Sequence, residues 1–340
     1  VDVSSSNWPV SGEAQALHED ALVFDFTLPF ADIGDPIKKS ETLPRFVASG
    51  VDCVSLTLGG DPGLVGETCK RIAKERAFFR SHPEKYVLVE NVADIRAAKR
   101  DAKLAVIFHF QGTEALEADL NMVETYYRLG VRHMLLAYNG RNRVGDGCFE
   151  SSDAGLSAFG RRLVREMNRV GMIVDGSHTG CRTSMEAIEV SEDPVIFSHS
   201  NPAGLHPHPR NITDDQIRAS AESGGVIGIL GVSNMLGPDN CTSSRLIVDH
   251  IEYCVELVGV DHVGLALDYV YDPEATYLWG LAAAGGELPK SGNYSSDMAL
   301  AQPEQYPEIT DLLLKRGLDD TDIRKILGEN WLRVASEVWK

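Results

Sequence analysis

Met172-Ile173-Val174-Asp175-Gly176-Ser177-His178 and Pro194-Val195-Ile196-Phe197-Ser198-His199 carry the clearest architectural signal in the chain. Each is a short apolar run bounded by turn residues and closed by a histidine, the pattern of a buried parallel strand. A ligand-type side chain directly after such a strand is where an α/β barrel places its chemistry. Two imidazoles on successive strands would converge on one metal ion.

Apolar runs of this kind recur at residues 21–26, 51–57, 104–110, 133–138, 172–177, 195–198, 225–230 and 262–267. Segments with helical spacing lie between most of them, at residues 69–81, 120–129, 155–170, 213–223 and 243–258. Ser157 ahead of a run of helix formers, and Thr213 with Gln216 three positions on, read as helix starts. Strand and helix alternating eight times predict a closed parallel (β/α)8 barrel, an α/β TIM barrel, formed by residues 1–340 as one domain. Residues 271–302, rich in Gly, Pro, Ser and Ala clusters, read as a long loop over the barrel mouth. Residues 309–316 and 321–338 read as two amphipathic helices closing the barrel from outside.

Composition narrows the function. The 340 residues are 43% hydrophobic, enough for a large core, and 32 Lys+Arg against 50 Asp+Glu give a net charge of -18. Such a charge repels nucleic acid and anionic membranes, so neither is an expected partner. Cys53, Cys69, Cys148, Cys181, Cys241 and Cys254 show no CxxC or CxH spacing and read as separate thiols of a reducing compartment. No stretch approaches the roughly 18 apolar residues of a membrane span. A cytoplasmic location is expected, unless a signal has been removed ahead of Val1.

The polar residues at the strand ends carry chemical content. They are Asp25 and Thr27, His109 and Gln111, Tyr138 and Asn139, Asp175 and His178, His199, and Asp268. Most of these can bind a metal or move a proton. The competing reading is a set of polar plugs at a barrel rim. Two histidines on adjacent strands with a carboxylate ending the eighth favour a site. His206 and His208 resemble a ligand pair, but the prolines around them set an extended turn with the side chains splayed. His109 is a second-rank candidate, and His18, His82, His133, His250 and His262 are expected to be structural.

These residues bring in a resemblance. The chain, from Val23 through Val338, resembles the zinc-dependent membrane (renal) dipeptidase family of the amidohydrolase superfamily. The most specific stretches are Gly155-Leu156-Ser157-Ala158-Phe159-Gly160, Pro194 to Ser200, Arg210-Asn211-Ile212-Thr213-Asp214-Asp215 and Glu329-Asn330-Trp331-Leu332-Arg333-Val334. The resemblance implies a (β/α)8 barrel, commonly homodimeric, with two zinc ions bridged by a Glu and a hydroxide. Its implied activity is hydrolysis of dipeptides, often with a D-residue at the carboxyl end. It places two zinc-ligating histidines on His178 and His199, the last-strand Asp on Asp268 and a substrate-holding Arg on Arg210.

The remaining positions depart from the family. Its His-x-Asp falls on Asp25-Phe26-Thr27, its bridging Glu on Gln111, and its substrate-binding strand-four His on Tyr138. A neutral amide seldom bridges two metals and a threonine hydroxyl is a poor zinc ligand. The expectation is therefore one Zn2+ on His178 and His199, with the Gln111 carbonyl and Asp25 as further candidate ligands. Two ions are expected only if Asp25 compensates for the missing ligands. Asp268 is the expected proton carrier, and Arg210, Tyr138 and Asn139 the expected substrate contacts. The expected substrate is a small molecule, a dipeptide or an N-acyl amino acid. The rival expectation is a catalytically impaired homologue that binds a small molecule.

Overall fold

Apolar runs become parallel strands here because both of their faces are covered. The computed structural model describes residues 9–29, 36–283, 286–292 and 294–340. Its strands are β1 Phe24–Leu28, β2 Cys53–Gly60, β3 Tyr86–Leu88, β4 Leu104–Gln111, β5 Val131–Leu135, β6 Ile173–Asp175, β7 Val195–Ile196, β8 Ile227–Ile229 and β9 Val263–Leu265. Pairing is parallel throughout, in the order β1-β2-β4-β5-β6-β7, with β8 beside β9. A Phe197–Ile227 bridge joins β7 to β8. Between β9 and β1 the ring closes through a side chain: the Leu267 N–H donates to Asp25 Oδ2 at 3.3 Å. The result is the expected (β/α)8 barrel.

Three expectations change. The strand β3 is additional, and it pairs with the first residues of β4, Leu104 to Val106, ahead of the point where β5 takes over at Phe108. Residues 271–302 carry a helix, Pro273–Ala283, because Ala and Leu in that stretch favour helix once Pro273 has started it. The C-terminal tail does more than pack outside, as Trp331 shows below. The expected helix starts are present: Ser157 Oγ accepts from Gly160 N, and Thr213 forms a capping box with Gln216.

Period-two alternation sorts the strand residues into two layers. Val54, Leu56, Val106, Phe108, Phe110, Val174 and Phe197 lie in the large core between strands and helices. Cys53, Ala105, Ile107, Ile173 and Ile196 face the barrel interior with Phe26 and Trp331. Four rings stack through that interior. Trp331 lies 4.1 Å from Phe26, Phe26 4.7 Å from His133, and His133 4.4 Å from His109. Trp331 fits because β9 and β8 present glycine to it: a Cβ on Gly264 would fall 2.6 Å from the indole, and one on Gly228 3.0 Å. Its indole N–H donates to Leu265 O. Among the described residues no helix is long and apolar enough to cross a membrane.

Trp331 is fully buried. Trp331→Ala is expected to lower stability by about 3–5 kcal/mol, the usual loss for a buried large aromatic. Urea denaturation followed by far-UV circular dichroism measures it.

Candidate active site

The strand ends turn their side chains inward through unusual backbone. Asn139, His178 and Asp268 have φ of 62°, 62° and 59°, the left-handed region that non-glycine residues seldom adopt. Strain of this kind costs about 1–3 kcal/mol per residue and collects at functional sites. His178 Nδ1 donates to Asn139 Oδ1 at 2.7 Å, which leaves Nε2 as a lone pair. His178 Nε2 lies 2.9 Å from His199 Nε2. His199 Nδ1 lies 2.7 Å from Ser198 Oγ and 3.1 Å from Thr27 Oγ1. The two rings are thus held from behind and aimed at one point.

A polar chain inside the barrel supports the site from below. Gln111 Nε2 donates to Thr57 Oγ1, which meets His109 Nε2, and His109 Nδ1 meets Ser55 Oγ. Ser55 Oγ also meets His133 Nε2, and His133 Nδ1 meets Asp175 Oδ2. One direction of donation satisfies every member: His133 donates to Asp175, Ser55 to His133, His109 to Ser55, Thr57 to His109 and Gln111 to Thr57. Burial alone would raise Asp175, but bonds from His133, Ser198 and Ser177 outweigh it and hold the carboxyl below its ordinary value. The chain fixes the Gln111 amide with its nitrogen inward. The carbonyl oxygen is then what Gln111 offers to the cavity it lines.

Burial sets the charges. It holds His178 and His199 well below 6.5, reinforced by the Arg210 cation, so both rings are neutral at pH 7. Burial raises Asp268 to about 7, with Arg210 pulling down and Asp25 pushing up. Tyr138 and Tyr294 are raised, chiefly by burial, and stay protonated O–H groups. Arg210 is 2% exposed and its Nη2 donates to His199 O at 2.9 Å. Its Nε and Nη1 are buried without a partner among the described residues.

The paired histidine nitrogens suit a zinc ion. Two zinc–nitrogen bonds of about 2.0–2.1 Å at a tetrahedral angle put the nitrogens about 3.3 Å apart. The facing Nε2 atoms therefore share a proton as they stand, or part slightly to share a cation. The polar groups at the end of β1 are already engaged elsewhere. Asp25 is fully buried, its oxygens accepting from Thr27 N at 3.1 Å and Leu267 N at 3.3 Å, and it closes the barrel seam. Thr27 donates its hydroxyl to Phe26 O at 2.8 Å. Among the described residues no group of three or more His, Cys, Asp or Glu is placed to hold a metal. A single cation would rest on His178, His199 and neutral oxygen such as the Gln111 carbonyl.

One cavity of about 230 Å³ gathers Gln111, Tyr138, Asn139, His178, Arg210 and Asp268. His199 meets it through His178, while Asp25 is not in its wall. Asn139, expected to touch substrate, is the residue that orients His178. His109 points into the barrel interior rather than the mouth. His206 and His208 are splayed as expected, bonding Asn234 O and Gly292 O. The cavity wall also contains Arg71, Phe149 and Tyr294, which sequence reasoning did not single out. Arg71 lies on a helix surface and the two aromatic residues lie in loops, where no periodic signal marks them.

A (β/α)8 barrel with paired histidines and a carboxylate at its mouth is a hydrolase-type architecture. The model of the membrane dipeptidase family, peptidase family M19, matches residues 46–282 and 291–340, and the chain belongs to that family. Dipeptidase tcpJ of Claviceps purpurea (strain 20.1) is 29% identical over 276 residues, which cover 80% of this chain and 60% of the fungal protein. An amidohydrolase from Pseudomonas aeruginosa is 31% identical, with a TM-score of 0.85 over 96% of this chain and 99% of its own. The probable dipeptidase PvdM from the same organism shares the fold at 22% identity, with a TM-score of 0.80 over 96% and 97%.

The seam carboxyl makes stability depend on pH. Burial raises Asp25 from 3.8 to about 7, so the fold favours its protonated form. That contribution is complete below about pH 4 and is lost as pH rises through about 7. Asp268 acts with the same sign. Asp25→Asn is expected to reduce the fall in stability between pH 4.5 and 7.5, read from urea midpoints at the two values.

Proposed function

We propose that the chain hydrolyses the amide bond of a small molecule with a free carboxylate, a dipeptide or an N-acyl amino acid, and that a D-residue at the carboxyl end is accepted. The observation that carries this is Arg210: a buried guanidinium lining the cavity beside His178 and Asp268, with two nitrogens unpartnered among the described residues. A fork of N–H donors matches a carboxylate bidentately. The substrate carboxylate on Arg210 sets the scissile carbonyl toward His178 and Tyr138. Asp268, titrating near neutrality, takes the proton of the attacking water as the new C–O bond forms and returns it to the amine as the C–N bond breaks. The Tyr138 hydroxyl donates to the developing oxyanion. One zinc ion on His178 and His199 would lower the pKa of its bound water toward about 7 and polarise the carbonyl.

Dipeptides with L- and D-residues at the carboxyl end are the first substrates to test. The expected kcat/KM rises with pH through a limb near 7, and Asp268→Asn loses roughly 10²-fold or more. A limb that survives in Asp268→Asn assigns it to another group. Zinc content by mass spectrometry is expected to stop at one ion per chain and to be lost in His178→Ala. Two ions would refute the account of Asp25, Thr27 and Gln111. No zinc after addition, with dipeptides bound and uncut, would replace the hydrolase by the binding protein.

A further inference from the structure

The cavity wall carries a second cation. Arg71 projects from the helix Val65–Arg80 that follows β2, and its Nη1 reaches Leu58 O, near the end of that strand, at 3.5 Å. Arg210 follows β7 and reaches His199 O, just past that strand, at 2.9 Å. Around the closed ring β2 is the second strand and β7 the sixth, so the two guanidinium groups belong to opposite walls of one mouth. Gln111, Tyr138, His178 and Asp268 share the cavity with them.

The surroundings of Arg71 sharpen the point. Acidic residues outnumber basic ones 50 to 32, and about half of the arginines, Arg45, Arg96 and Arg316 among them, pair with carboxylates. Arg71 has no ion pair among the described residues. Glu75, one helical turn on, is committed to Lys39 in a buried pair. A cation outside any ion pair among the described residues, in the wall of a binding cavity of a strongly acidic protein, gives an incoming anion a local attraction.

We infer that the preferred substrate carries two anionic groups, its terminal carboxylate on Arg210 and a second carboxylate, on the acyl half, on Arg71. The class is a dipeptide with an acidic amino-side residue, or an amino acid acylated by a dicarboxylic acid. This rests on the reading that Arg210 holds the substrate carboxylate. Opposite placement of the two cations stretches such a molecule across the mouth, with the scissile amide between its charges and over the histidine pair.

Glu-Ala and Gln-Ala dipeptides differ only in the second charge and separate the two claims. Binding by calorimetry is measured for the full chain, Arg71→Gln and Arg210→Gln. The expected result is Glu-Ala bound about tenfold or more tighter than Gln-Ala, as for a hydrogen bond to a charged group. Arg71→Gln should bring that ratio to about one, and Arg210→Gln should weaken both ligands alike. Equal affinities in the unmodified chain, or a ratio that survives Arg71→Gln, would overturn the second-anion site while leaving Arg210's role intact. Binding of both dipeptides unchanged in Arg210→Gln would overturn the underlying reading and the inference with it.

Discussion

An eight-stranded barrel has to fill its own interior, and everything at the mouth of this one stands on how that is done. The inward faces carry Ile107, Ile173 and Ile196, but also the small Cys53 and Ala105. The column Trp331–Phe26–His133–His109 occupies the space. Two of those rings are imidazoles, whose nitrogens need partners in a dry interior. Ser55, Thr57 and Asp175 supply them, and the chain of donors that results runs up to Gln111 at the mouth. Packing and polar satisfaction are thus one problem with one solution, and the orientation of a site residue is part of it.

Above that floor, burial does the electrostatic work. It strips the charge from His178 and His199 and brings Asp268 to the pH at which a carboxyl can both accept and release a proton. Arg210 is held beside His199 by the bond from its Nη2 to that residue's carbonyl. The same cation lowers the imidazoles further and restrains Asp268. The site therefore combines buried guanidinium nitrogens, a carboxyl near neutrality and two neutral imidazoles, each state following from its surroundings.

Much of this was legible in the sequence, for a physical reason. Strands buried on both faces are continuous apolar runs, so all eight barrel strands could be located, and His178, His199 and Asp268 followed as the residues just beyond three of them. What stayed hidden depends on closure and reach. Nothing local in Tyr86-Val87-Leu88 distinguishes a strand from a loop, because its pairing is offered by the free edge of β4. Trp331 reads as one apolar residue of an amphipathic helix, and only Gly228 and Gly264, far away in sequence, make room for it inside. Asp25 looks like a displaced metal ligand until the seam between the first and last strands is assembled around it. Arg71 carries no mark at all, since its meaning comes from the rim it happens to lean over.

The place of Asp25 has a consequence for how the protein can change. It fastens one end of the sheet to the other, accepting from Leu267 N and Thr27 N. A histidine at that position offers at most one acceptor nitrogen, so the exchange would unfasten the closure. The residue works as a ratchet: with the barrel seam resting on a carboxylate, the start of the mouth cannot be redrawn by one substitution, only by several coordinated ones.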